Sequence, residues 1–69
     1  MATDLKTRSF LKYREARDAA GMNNAQVAEA AKIPSSTIYD WAAGRYMPKA
    51  DKLAAIGKVL GKNVEYFIE

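Results

Sequence analysis

Apolar residues along this chain recur at spacings of three and four, the period of a helix with one buried face. Phe10, Tyr13, Ala16 and Ala20 share such a face and predict a helix over residues 5–20, with Gly21 placed to end it in a left-handed conformation. In Asn23-Asn24-Ala25-Gln26, Asn23 can cap a second helix while Gln26 reaches back, as in a capping box. Val27, Ala28 and Ala31 form its apolar stripe. Pro34 interrupts the pattern, because it cannot continue a helix and biases Ile33 toward an extended backbone.

A third helix is expected from Ser35 or Ser36 to about Ala43, with Ile38 and Trp41 pointing inward and Gly44 closing it. Residues 45–48 read as a loop. A fourth helix over residues 49–60 carries Leu53, Ile56, Val59 and Leu60 as its buried stripe and stops at Gly61. Asn63 caps a last short helix with Val64, Phe67 and Ile68. No stretch alternates in the manner of a strand, so the expected fold is all-α, a compact bundle of five short helices.

Composition narrows the chemistry. With 69 residues there is room for one domain, and with 49% hydrophobic and 28% charged residues it is globular in composition. The absence of Cys and His removes disulfides, thiol nucleophiles, imidazole bases and the usual zinc ligands together. No nucleophile–base pair or phosphate-cradling loop is visible, so neither an enzyme nor a bound cofactor or metal is expected. No apolar run approaches the roughly 18 residues that span a bilayer, and the N-terminus lacks the apolar core of a signal peptide; a cytoplasmic protein, with no membrane or small-molecule partner, is expected. The net charge of +3 is placed unevenly. Lys6, Arg8, Lys12, Arg14 and Arg17 outnumber the acids of the first twenty residues, whereas Lys58 and Lys62 are balanced by Glu65 and Glu69. Such an excess permits a nucleic-acid partner without requiring one.

Particular residues point further. Arg17 and Gly21 close the first helix, Val27-Ala28 lie in the second, and Ser36-Thr37-Ile38 and Trp41 in the third; Gly44, Pro48, Leu53, Ile56, Leu60 and Gly61 follow. In this order the string resembles the phage-repressor and Cro-like helix-turn-helix family, with the lambda repressor-like fold, from about residue 8 to residue 68. The resemblance implies residues 1–7 as an N-terminal arm or the start of the first helix, and residues 8–69 as a helix-turn-helix DNA-binding domain. It implies a second helix across the DNA backbone and a third in the major groove. Ser35, Ser36, Tyr39 and Asp40 would then read base edges. Asn24, where the family has glutamine, would hold a phosphate at the start of the second helix. Thr37, Arg17, Arg45, Tyr46 and Lys49 complete the expected phosphate contacts. The partner implied is double-stranded DNA with a palindromic operator, bound by a homodimer acting as a transcription regulator, a repressor above all, of bacterial or phage origin.

The chain departs from the family in three places. Lys32 stands where the turn usually has glycine, at a cost of roughly 1 kcal/mol for a left-handed lysine. Trp41 is followed by Ala42 instead of the glutamate that often pairs with the first-helix arginine, which leaves Arg17 to Asp18, to Asp40 or to a phosphate. The reading positions also lack the Arg, Lys, Asn and Gln that pair bidentately with bases. That thinness supports an alternative: a protein-interaction module on the same scaffold, antirepressor-like or adaptor, using Leu11, Tyr39, Tyr46 and Met47. The sign of the surface around residues 35–49 separates the two.

Overall fold

The computed structural model describes residues 4–69, and in them five helices follow one another: α1 Leu5–Ala19, α2 Asn24–Ala31, α3 Ser35–Ala42, α4 Ala50–Leu60 and α5 Val64–Ile68. Their starts are set by side chains. The Asp4 carboxylate accepts from the Thr7 backbone N–H at 2.8 Å, and that hydrogen bond holds its carboxyl below the usual range. Asn23 and Gln26 form the reciprocal capping box at α2, at 2.8 and 2.9 Å. Asn63 caps α5 through the Tyr66 N–H.

Helices α1, α3 and α4 end at Gly21, Gly44 and Gly61, each at positive φ. Lys32 does the same work after α2 without being a glycine. It sits at φ 59° and ψ 44°, the one non-glycine residue at positive φ among those described. Its N–H donates to the Glu29 carbonyl and the Ile33 N–H to the Ala28 carbonyl, so the end of the helix is satisfied despite the strained residue.

The core is built from Tyr13, Val27, Ala28, Ile38, Trp41, Leu53, Ile56 and Phe67, all buried. α1 packs on α3 and α5, α2 on α3 and α4, and α4 on α5. Trp41 is the hub. Its ring lies 5.1 Å from Tyr13, 5.7 Å from Phe10 and 6.1 Å from Phe67, centroid to centroid, in the tilted and edge-on geometries aromatic pairs favour.

Three expectations about the faces are corrected. Ala20 is exposed at the end of α1, and the buried positions of that helix are Ser9, Tyr13 and Ala16, with Ser9 one turn before Tyr13. In α4 the fully buried stripe is Leu53, Ile56 and Gly57, while Val59 and Leu60 are half-buried. Gly57 is buried because the chain returns over it: a Cβ there would collide with the Lys62 carbonyl oxygen. Ile68 is 43% exposed, leaving Phe67 as the anchor of α5. The arm expected over residues 1–7 falls partly outside the described residues, and Leu5, Lys6 and Thr7 form the first turn of α1. Among the described residues no helix is long and apolar enough to cross a membrane.

Candidate nucleic-acid interface

Helix α3 is divided by face. Ile38 and Trp41 have no exposed surface, whereas Ser35, Ser36 and Tyr39 are exposed, Tyr39 at 54%. Thr37 and Asp40 lie between, half-buried. The spacing of Ile38 and Trp41 dictates this: two inward residues three apart leave the residues around Ser36 and Tyr39 on the opposite side. Pro34 precedes the helix and offers no side-chain cap. Only Thr37 of the first turn has its N–H bonded back, to the Pro34 carbonyl.

The residues expected to touch a phosphate gather in two places beside α3. On one side Arg17, Asn24 and Tyr39 line a shallow depression with Asp18, Met22 and Asn23. Arg17 is tied to this place. Its Nε and Nη2 donate to Asp18 at 3.0 and 2.8 Å, and Nη1 donates to the Asn24 side-chain oxygen at 2.8 Å. The partner that Ala42 cannot supply is thus replaced by Asp18 and Asn24. A second donor reaches the same oxygen, the Tyr13 hydroxyl, also at 2.8 Å. With its oxygen taken twice, Asn24 has its amide nitrogen left for an outside acceptor. That group sits at the first residue of α2, where unpaired backbone N–H groups and the helix dipole favour an anion.

Tyr13 was absent from the expected site. Its ring belongs to the core and burial raises its pKa to about 12, an effect opposed by the nearby Arg17 charge. Its hydroxyl reaches the site from beneath, through the hydrogen bond to Asn24. The available sequence signal was its place one helical turn before Arg17.

On the other side of α3, Thr37, Tyr46 and Lys49 line a second depression with Met47, Pro48, Asp51 and Lys52. Lys52 belongs to this group although its sequence position did not single it out. Between α3 and the loop, Asp40 is occupied from both oxygens. Arg45 Nη1 donates to Oδ1 at 3.0 Å and the Tyr46 hydroxyl to Oδ2 at 2.5 Å. This hydrogen bond is the main cause of a raised Tyr46 pKa. Asp40, expected to face bases, therefore has two residues of the loop as its immediate partners. The exposed basic groups around α3 are correspondingly modest: Arg45 is matched by Asp40, and Lys49 and Lys52 stand beside Asp51.

No group of three or more potential metal-ligating side chains is assembled among the described residues. The arrangement has the chemistry of a polar surface: a projecting helix flanked by donors on both sides.

Comparison with curated proteins and with solved structures gave no significant match. Comparison with protein families did: the family model described as Helix-turn-helix matches residues 14–67, well over half of the chain. With α2, the Lys32 turn and α3 all inside that match, the chain belongs to the helix-turn-helix family of the Cro and phage-repressor type, a family of DNA-binding transcription regulators.

Proposed function

We propose that this domain binds specific sequences in double-stranded DNA and acts as a repressor of bacterial or phage origin, in the cytoplasm, as a homodimer on a palindromic operator. One observation carries the reading: α3 buries Ile38 and Trp41 completely and turns Ser35, Ser36 and Tyr39 outward between two sets of donors. Laid in the major groove, that face brings the serines and Tyr39 to base edges, with Asp40 next in register. Asn24 and Arg17 then reach the backbone on one flank, and Thr37, Arg45, Tyr46 and Lys49 on the other.

Dimerisation follows from size and charge. One domain neutralises few phosphates, and pairing two copies on linked half-sites multiplies their effect. The described residues extend 34 × 21 × 21 Å. Two copies therefore fit side by side with their reading helices one turn of DNA apart, about 34 Å. Where such a site overlaps a promoter, its occupancy excludes polymerase without any further contact, and this is the ground for reading the domain as a repressor.

The alternative of a protein-interaction surface has support in Tyr39 and Tyr46, exposed at 54% and 56%, and in the weak local charge. Selection of bound sequences from a random duplex pool separates the readings. Enrichment of a two-fold symmetric sequence is the expected result. A pool that stays random after repeated rounds would refute sequence-specific binding and favour a protein partner.

A further inference from the structure

Asp40 stands where a negative charge is unfavourable for a DNA-binding helix, yet it is built into the surface by two hydrogen bonds. Its side chain is 22% exposed, against 65% for Arg45. Both of its oxygens are used, and both donors come from the loop after α3, five and six residues on. The Arg45 N–H also donates to the Asp40 backbone carbonyl, so the start of the loop is pinned to the same residue. A carboxylate that accepts a guanidinium and a phenol at these distances presents the same chemistry as a phosphate oxygen pair.

We propose that Asp40 is an internal stand-in for a DNA phosphate, holding Arg45 and Tyr46 until a backbone phosphate displaces it. The proposal rests on the reading of this loop as a backbone-gripping element. It assigns Asp40 a role through other residues: it sets how strongly the loop grips any duplex. Each encounter must exchange the Asp40 contacts for phosphate contacts, so the grip of the loop is reduced by whatever the internal contacts are worth. Exposed ion pairs of this kind change an equilibrium by about two- to five-fold. The penalty falls on phosphate contacts, which dominate non-specific binding. Asp40 therefore suppresses binding to irrelevant sequence.

The same charge would also repel phosphates through space, and the two effects predict different couplings. Removing the charge with Asp40→Asn frees Arg45 if Asp40 competes for it. In a background lacking the loop groups, Arg45→Ala with Tyr46→Phe, there is nothing to free. Through-space repulsion behaves oppositely, because an unpaired Asp40 would be repelled at least as strongly.

The experiment titrates four proteins on a scrambled duplex at low salt: the native chain, Asp40→Asn, the double loop variant and the triple variant. Circular dichroism checks that each is folded. Competition predicts that Asp40→Asn tightens binding about two- to five-fold in the native loop, and that this gain at least halves in the loop variant. A gain equal or larger in the loop variant would overturn the proposal in favour of repulsion. Weaker binding by Asp40→Asn would overturn it in favour of a loop held in its binding shape. If the native chain binds no duplex at all, the reading of the domain as DNA-binding fails first. The contact itself is tested without DNA, by the ionisation of the Tyr46 phenol followed in a ring-labelled NMR titration. Asp40→Asn is expected to move that ionisation to lower pH, because the hydrogen bond that raises it loses its charge. No movement would remove the contact on which the proposal stands.

Discussion

Ser9→Ala removes one oxygen from the centre of the molecule and leaves every surface group in place. Ser9 has no exposed surface. Its hydroxyl accepts from the Trp41 indole N–H at 2.9 Å and donates to the Lys6 carbonyl at 2.9 Å. The alanine variant leaves the indole N–H buried with no partner, at a cost of about 1–3 kcal/mol. Alanine is the better helix former by roughly 0.5 kcal/mol, which offsets part of this. A net loss of about 0.5–2.5 kcal/mol follows. At about 4–8 °C for each kcal/mol in a domain of this size, the midpoint should fall by roughly 2–20 °C. A chain this short has only about 3–5 kcal/mol in hand, so the change is large in proportion. The assay is urea and thermal unfolding by circular dichroism, repeated in a Trp41→Phe background. Phenylalanine has no N–H to orphan, so there the cost of Ser9→Ala should shrink toward zero. An equal cost in both backgrounds would refute the reasoning, since it would place the loss in packing. DNA affinity measured well below the midpoint should be unchanged.

Two further outcomes follow from the backbone and from burial. Lys32→Gly should stabilise the domain by about 1 kcal/mol, because the left-handed conformation at φ 59° suits glycine and costs lysine; a lower melting midpoint would contradict this. Tyr13 gives a pH limit. Its folded pKa, about 12, lies above the ordinary value of 10.0, so its contribution to stability is complete below pH 10 and is lost as pH rises through 12. Denaturant midpoints measured across this range should fall more steeply for the native chain than for Tyr13→Phe, and parallel curves would exclude Tyr13 as the cause.

The features legible in the sequence were those fixed over one or two turns of chain. The capping box at Asn23 and Gln26, the breaks at Pro34 and the glycines, and the inward pair Ile38 and Trp41 depend only on near neighbours. The left-handed turn at Lys32 was anticipated only through the resemblance, which has glycine at that place; the helical pattern alone marks a break near Pro34 and does not say which residue turns left-handed. Ser9 was not legible. A serine on an amphipathic helix becomes core only when a distant donor needs it, and Trp41 lies 32 residues away. Gly57 escaped for a related reason: hydropathy scores a side chain, and this position is buried by the absence of one. In the site, the register of α3 could be read from its period. The partners of Asp40 could not, since the loop geometry after Gly44 decides where Arg45 and Tyr46 reach.

The two flanks of α3 are held by different kinds of contact, and this bears on how the surface meets DNA. On the α2 flank the arrangement is anchored from below. Trp41 stacks near Tyr13, the Tyr13 hydroxyl bonds Asn24, and Asn24 bonds Arg17, whose guanidinium also lies 5.8 Å from the Tyr13 ring. A buried aromatic thus links α3 directly to Asn24, the group proposed to meet a phosphate. Moving Asn24 relative to α3 would disturb the core, so little conformational freedom remains to be lost there on binding. On the loop flank Arg45 and Tyr46 are exposed and held only by Asp40. Such contacts exchange readily with solvent or an incoming anion. If α3 enters the groove as proposed, the rigid flank is suited to fixing its register there. The exchangeable flank would then adjust strength, and a change there is expected to alter affinity without altering which bases α3 faces.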